Sequence, residues 1–319
     1  CAGMAPGDLV VHCLNYCFWA GGLTDHLSLE ATQASVIPFG VGHTKRLIEL
    51  IRELRPNAIS FTPSYISRLE VLLQDEFHMS PRDLGLKKGF FGGEGGLQDP
   101  DVRKALEQTW GMRAIDANYG MADVLSIFGS ECEYRLGLHF HGRGLLYVEL
   151  IDPDSGKVLP LQEGQEGELV LSNLVREAQP LIRFRTGDVV KIMGTGKCQC
   201  GRNSFRFVVV GRSDQMIVVQ GVNVYATAVK GILARNRERF SGVFEIVLEN
   251  PPPIRTPLIR VERSENRSTR DDDENAKYLV DVCRERLQFT PRIELVPYGC
   301  LPRTDGKTRY IRRTYEERE

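Results

Sequence analysis

Apolar positions along the first 120 or so residues recur at two spacings. Ala34–Pro38, Asn57–Phe61, Lys88–Phe91 and Arg113–Ala117 are short apolar runs of strand length. Between them, Leu47, Ile48, Leu50, Ile51 and Leu54 fall on one helical face, which predicts a helix capped by Thr44 and running to about Leu54. Thr62-Pro63 reads as an N-cap followed by proline at the first helical position, opening a helix to about Asp75. Asp99-Pro100 opens another, to about Trp110. Strand–helix alternation predicts a parallel sheet flanked by helices.

The pattern changes near Gly144. Leu145–Ile151, Gly167–Ser172, Leu181–Phe184 and Val189–Met193 read as short strands, with Asp152-Pro153-Asp154-Ser155-Gly156 as a hairpin turn. Beyond Gly211 come a strand (Gln215–Val219), a helix (Ala226–Arg235), strands Val243–Leu248 and Leu258–Val261, a helix (Ala276–Leu287) and a strand (Arg292–Val296). The charged stretch Glu262–Glu274 reads as a solvated loop. The expected fold class is therefore α/β: a large N-terminal domain with a mostly parallel sheet (1–143) plus a β-rich part (144–212), then a small α+β C-terminal domain (213–319).

Composition narrows the function. The chain has 319 residues, 42% hydrophobic and 26% charged, enough for two domains with their own cores. Forty-one basic against 42 acidic residues give a net charge of −1, which argues against nucleic acid as a partner. No apolar run approaches the roughly 18 residues of a membrane span. Residue 1 is Cys, and Ala2–Asp8 reads like a helix end and a turn, so the chain is expected to begin inside a domain. Eight cysteines without a secretory signal point to reduced thiols and the cytoplasm.

Five segments carry candidate chemistry. Gly93-Glu94 and Asn118-Tyr119-Gly120-Met121-Ala122-Asp123 each follow a strand, where open α/β sheets bind ligands. Arg183–Asp188, Gly211–Val224 and Leu301–Arg309 follow. In this order, and with Phe61–Tyr65, they resemble the adenylate-forming superfamily of acyl-CoA synthetases, in particular the phenylacetate–CoA ligase family. The resemblance covers nearly the whole chain.

That resemblance implies an adenylation domain over 1–212 and a mobile C-terminal lid over 213–319, with ATP, Mg²⁺ and a carboxylic acid bound between them. The acid is aryl or arylacetic, and coenzyme A takes the acyl group. Among the nucleotide-binding residues, Gly93 and Glu94 match the adenine-lining segment. Asn118, Tyr119, Gly120 and Met121 match the nucleotide turn, with Tyr119 stacking on adenine. Asp188 matches the carboxylate that takes both ribose hydroxyls, and Arg212 a second ribose contact. Asp214 matches the hinge, Asp123 the Mg²⁺ ligand, and Lys307 the catalytic lysine that bridges carboxylate and α-phosphate. For each, a plain structural role competes: a glycine turn, a core tyrosine, a turn aspartate, a charged tail.

The chain also departs from the family. A Ser/Thr/Gly-rich loop for the β- and γ-phosphates has no match: Gly194-Thr195-Gly196-Lys197 lacks Walker spacing, and Gly40–Lys45 reads as a helix start. The family loop lies upstream of residue 1, which predicts an N-terminally shortened member. Ala122 replaces a hydroxyl residue, and Asp123 replaces glutamate. Asp116 lies three residues before Tyr119, where the family has its polar residue two before.

Cys132, His139, Cys198 and Cys200 form two Cys/His pairs in turn-rich sequence and could build a structural Zn²⁺ site, with His141 as the alternative histidine. The same pattern resembles phenylacetate–CoA ligases that carry a metal there. Unligated buried thiols are the plain alternative. Leu9–Gly22, with Tyr16, Phe18 and Trp19, is expected to form an acyl-pocket wall or core. Two further functional readings fit the same residues: adenylation with transfer to an amine or carrier protein, and a non-catalytic nucleotide-binding or acyl-binding remnant. A homodimer is compatible with all of them.

Overall fold

The structure is a computed structural model and describes residues 2–315 except 18, 214–215, 221, 252–253, 266 and 304–309. The chain opens with strand β1 (Leu9–His12), helix α1 (Ala20–Glu30), strand β2 (Ser35–Pro38), helix α2 (Thr44–Leu54) and strand β3 (Ala58–Phe61). Helix α3 (Pro63–Asp75), strand β4 (Lys88–Gly92), helix α4 (Pro100–Trp110) and strand β5 (Arg113–Met121) continue the alternation. Then come β6 (Leu125–Glu131), β7 (Leu138–Phe140), β8 (Leu146–Ile151), β9 (Val158–Leu159), β10 (Glu166–Asn173), β11 (Phe184–Gly194) and β12 (Arg206–Arg212). The last stretch holds β13 (Met216–Val219), β14 (Val222–Tyr225), α5 (Ala226–Ala234), β15 (Phe240–Leu248), β16 (Leu258–Arg263), α6 (Asp272–Leu287), β17 (Arg292–Val296) and β18 (Ile311–Arg313). Two compact units result, Cys1–Val209 and Val210–Glu319.

In the first unit, strands run in the order β2-β1-β3-β4-β5-β6-β7-β12-β11-β10-β8-β9. Pairs from β2 through β5 are parallel. From β5 to β6 the pairing turns antiparallel, and antiparallel strands carry the rest of the described ladder. Leu47, Ile48 and Ile51 of α2 join Ile66, Leu69 and Leu73 of α3 and Trp110 of α4 against Ile59, Phe61 and Phe91 of the sheet. Each fully buried side chain of this size contributes about 1.5–3 kcal/mol. A separate cluster around Phe128, Leu169, Val190 and Phe207 holds the antiparallel part.

Local chemistry explains the helix ends. Asp99 caps α4 by accepting from the N–H groups of Asp101 and Val102, and Gly111 closes it in the left-handed region. Pro63 occupies the first turn of α3 as expected. Thr44 is not a cap: His43 takes that position with φ +50°, while the Thr44 hydroxyl pairs with the Tyr65 hydroxyl at 3.0 Å. A tertiary partner outcompeted the local one.

The second unit pairs a four-stranded sheet, β17-β16-β15-β18, with a β13–β14 hairpin and two helices. Its core gathers Val229, Ile232 and Leu233 of α5, Leu279 and Cys283 of α6, and Phe244, Ile246, Ile259 and Val261 of the sheet.

Four further expectations need correction. Leu181–Phe184 is not a strand of its own, because regular pairing starts only at Phe184 and continues through the glycine to Gly194. Leu9–Gly22 splits into β1 and the start of α1, a helix hidden because its apolar residues form no single stripe: Leu23 and Leu27 are exposed. Strands β6, β7, β9, β14 and β18 were not anticipated, and with β6 the antiparallel part begins at Leu125, ahead of the change expected near Gly144. Glu262–Glu274 is not one solvated loop. Glu262 and Arg263 end β16 and are buried, and Asp272–Glu274 form the first turn of α6, where acids favour the helix dipole. The Glu262 carboxylate accepts from Leu301 N–H at 2.7 Å, Arg303 Nη2 at 2.8 Å and the Ser241 hydroxyl at 3.1 Å, so its burial is fully compensated.

Candidate functional site

The candidate nucleotide residues of the first unit collect at the carboxyl ends of β4 and β5, with Asp188 reaching them from β11 of the antiparallel part. Asn118, Tyr119, Gly120 and Met121 are the last four residues of β5. Gly93 follows β4 with φ +79°, a conformation that favours glycine, and Glu94 stands next to it. Gly120 is forced by packing: a Cβ there would sit 1.9 Å from the Ser126 carbonyl oxygen across the β5–β6 turn. The Met121 backbone pairs with Leu125. Asp123 is exposed in that turn, and its carbonyl accepts from Arg176 Nη1 at 2.5 Å.

Tyr119 and Asp188 meet. The phenol donates to Asp188 Oδ2 at 2.7 Å. Asp188 lies near the start of β11 and is buried, with its N–H donated to the Thr186 hydroxyl at 3.0 Å. The Tyr119 ring packs edge-on against Phe128 and Phe207 at 5.0 and 5.2 Å. Asn118 points the other way along the strand, as alternation requires, and its Nδ2 donates to Asp25 Oδ2 at 2.6 Å. In the second unit Arg212 ends β12. Asp214 and Lys307 lie outside the described residues.

A buried network that sequence reading missed holds the loop after β4. Gln98 accepts from the Gly96 N–H at 2.9 Å and donates to Asp116 Oδ2 at 2.6 Å. Arg103 donates twice to the Leu97 carbonyl and forms a two-pronged pair with Glu131 at 2.7 and 2.9 Å. Burial pushes Asp116 up to about 7, with the nearby Glu131 charge adding to the effect. Asp116 thus anchors the loop that carries Gly93 and Glu94. Its three-residue offset from Tyr119 was visible in the sequence, but its partners were not.

Cys132, His139, Cys198 and Cys200 are brought together, with one ligand atom from each within 4.8 Å of the others. Cys132 follows β6, His139 is on β7, and both other thiols lie on the turn between β11 and β12. Gly201 closes that turn with φ +87°, and Cys198 N–H donates to the Arg202 carbonyl at 2.8 Å. The separations of 3.9 Å (Cys132 Sγ to Cys198 Sγ) and 3.4 Å (Cys200 Sγ to His139 Nε2) compare with about 3.5–3.8 Å between ligands of a tetrahedral Zn²⁺. His139 Nδ1 pairs with the Ser204 hydroxyl at 3.2 Å, which turns Nε2 toward the thiols. Burial, with Arg202 and Arg206 nearby, lowers the His139 pKa to about 4 and keeps the imidazole neutral. His141 is engaged elsewhere, with Nε2 2.7 Å from the Ser130 hydroxyl. The donor set fits a metal ion held entirely by protein.

Comparison with known proteins gives this geometry its context. A family model described as the AMP-binding enzyme C-terminal domain matches residues 221–314. The phenylacetate–coenzyme A ligase of Thermus thermophilus is 32% identical over 326 residues, covering 96% of this chain and 71% of that one. Its Escherichia coli counterpart is 29% identical, covering 96% and 69%. A crystal structure of 2-hydroxyisobutyryl-CoA ligase, in the postadenylation state with R3-HIB-AMP, superposes with a TM-score of 0.88 at 28% identity, covering 99% of this chain and 67% of that one. With these similarities spread over almost its whole length, the chain belongs to the phenylacetate–coenzyme A ligase family of adenylate-forming acid–CoA ligases.

Proposed function

We propose that this chain activates an aryl or arylacetic acid as its acyl adenylate and passes the acyl group to coenzyme A. A carboxylate oxygen of the acid attacks the α-phosphate of ATP and pyrophosphate leaves. The thiolate of coenzyme A then attacks the acyl carbonyl and AMP leaves. The observation that carries this reading is the Tyr119–Asp188 pair, which sets an aromatic ring and a buried carboxylate side by side.

In this reading Asp188 accepts both ribose hydroxyls, since an ionised carboxylate has acceptor sites beyond the one Tyr119 uses. Tyr119 lies against adenine, and Gly93 with Glu94 lets the backbone approach it. Asn118, Gly120 and Met121 complete the nucleotide segment at the end of β5, and Arg212 gives a second ribose contact. Lys307 bridges the attacking carboxylate and the α-phosphate, where a fixed positive charge is worth about 10²–10³ in rate. Residues 213–319 act as a lid turning about Asp214. Asp123, exposed and on a turn, would hold Mg²⁺. That ion would offset phosphate charge. Cys132, His139, Cys198 and Cys200 would hold a structural Zn²⁺ that ties β6, β7 and the β11–β12 turn together.

Calorimetric titration with a non-hydrolysable phenylacetyl-adenylate analogue tests the reading. Binding that disappears in Asp188→Ala supports it. A folded chain that binds no acyl-adenylate analogue overturns it. In single half-reaction assays Lys307→Ala should lose adenylation and keep thioester formation from ready-made adenylate; equal loss of both would remove Lys307 from the mechanism.

A further inference from the structure

The parallel strands run β2-β1-β3-β4-β5, so the winding direction reverses at β1. In open α/β sheets the crevice outside the carboxyl ends at such a reversal takes the ligand. His12 is the last residue of β1. Asp25, on α1, reaches the same edge of the sheet through Asn118, whose backbone is paired with Gly92 at the end of β4. Among the described residues, three buried side-chain polar atoms lack a hydrogen-bond partner. Two of them, Asp25 Oδ1 and His12 Nδ1, fall at this edge.

Asp25 is only 7% exposed. Its Oδ2 accepts from Asn118, while Oδ1 is buried with nothing to accept from. A buried acceptor left unmade is destabilising, and native proteins seldom keep one without a use. Burial also pushes the carboxyl up to about 6, so it holds or releases a proton near neutrality.

The neighbours indicate which part of a substrate meets this oxygen. Asn118 and Tyr119 face opposite sides of β5, so Asp25 lies across the strand from the Tyr119–Asp188 pair assigned to adenosine. Tyr16 is close enough to feel the Asp25 charge, and it packs edge to face with His12 and His26, with centroids 5.6–6.4 Å apart. Tyr16 and His26 already satisfy each other, with the phenol oxygen 2.8 Å from Nδ1. Aromatic faces of this kind suit an aryl group, with Asp25 Oδ1 as the acceptor still without a donor.

We infer that Asp25 is a specificity-determining residue whose Oδ1 accepts a hydrogen bond from a hydroxyl or amino substituent on the aryl part of the acid. The inference rests on the acid-activating reading above and names its substrate class: ring-hydroxylated or ring-aminated acids in preference to the unsubstituted parent.

The full chain would be titrated calorimetrically with adenosine sulfamate analogues of phenylacetate and of its ring-hydroxylated and ring-aminated forms. At least one substituted analogue should bind about tenfold more tightly than the parent, the worth of one hydrogen bond to a charged acceptor. In Asp25→Leu, a near-isosteric apolar change, that ratio should fall to about one, while Asp25→Asn, which keeps an acceptor oxygen, should retain part of it. Thermal melts of both variants confirm that they are folded. Parent binding without any preference for a substituted analogue overturns the inference alone, and is the result expected if Oδ1 merely meets a buried water. A preference that survives in Asp25→Leu also overturns it. If neither the parent nor any substituted analogue binds, the acid-activating reading falls and this inference with it.

Discussion

The Tyr119 phenol donates to Asp188 Oδ2 across 2.7 Å although 69 positions separate the two residues. One is on the strand where parallel pairing ends, the other deep in the antiparallel part. The bond orients an aromatic ring and a carboxylate together before any ligand arrives, which lowers the ordering cost of binding. Tyr119→Phe should destabilise the chain by about 1–2 kcal/mol, because it leaves a buried carboxylate short of a donor. The same change made on top of Asp188→Asn should be smaller by about 1 kcal/mol. Urea unfolding of the four proteins checks this; additive losses would mean that the two side chains are not coupled.

Protein prepared without chelator should carry about one equivalent of zinc. Cys200→Ser and His139→Ala should each lose it, and a strong chelator should lower the melting temperature of the wild type toward theirs. Cys17→Ser, a change at an exposed thiol away from the cluster, should keep the metal. Elemental analysis with thermal melts decides the matter. Wild type with no metal, and melting that ignores chelator, would leave four thiol and imidazole groups that simply pack.

Asp25 should set a pH dependence of stability. Burial, only partly offset by the hydrogen bond from Asn118, lifts its pKa from the ordinary 3.8 to about 6. Between those values the folded chain holds a proton that the unfolded chain has released. Stability contributed by this group therefore falls as pH rises through that window, by up to about 3 kcal/mol, and stays lower above it. Asp25→Asn should gain stability over wild type at about pH 7 and much less at about pH 4. Denaturant unfolding at the two pH values measures the difference; an equal gain at both would mean that the carboxyl titrates normally.

Two glycines of the candidate nucleotide site should respond differently to alanine. Gly120→Ala drives a Cβ to 1.9 Å from the Ser126 carbonyl, a backbone atom that cannot step aside, so the β5–β6 turn should open at a loss of about 3 kcal/mol or more. Gly93→Ala meets nothing nearer than Thr62 Cγ2 at 3.7 Å, and only its φ of +79° opposes the change, about 1 kcal/mol. Circular dichroism melts would rank them. Equal melting temperatures would mean that the turn tolerates displacement.

Helices α2, α3 and α4 were readable because each announces itself within a few residues. The apolar face of α2 repeats cleanly, Pro63 opens α3, and Asp99-Pro100 opens α4. Strands β3 and β4 were readable as short, mostly buried apolar runs between helices. Helix α1 was not, because Gly21, Gly22 and outward-facing leucines blur its period. The family resemblance carried the candidate site further than the residues themselves did. Tyr119, Asp188 and the four Cys/His positions could be named, yet nothing local showed that Tyr119 bonds to Asp188 or that His139 rather than His141 faces the thiols.

By itself, the sequence determined the strand–helix alternation of the first part and the family. These are written in short-range periodicity, in caps and in ordered motifs. Only the tertiary structure decided where polar groups end up once water is removed. Glu262 disappears into β16 because Arg303 and Leu301 N–H, about forty residues later, meet its carboxylate. Asp25 is left with one oxygen unmade because α1 folds across the end of β5 and brings Asn118 to the other. Desolvation acts on the assembled chain, and the partners that compensate it, or fail to, are remote in sequence.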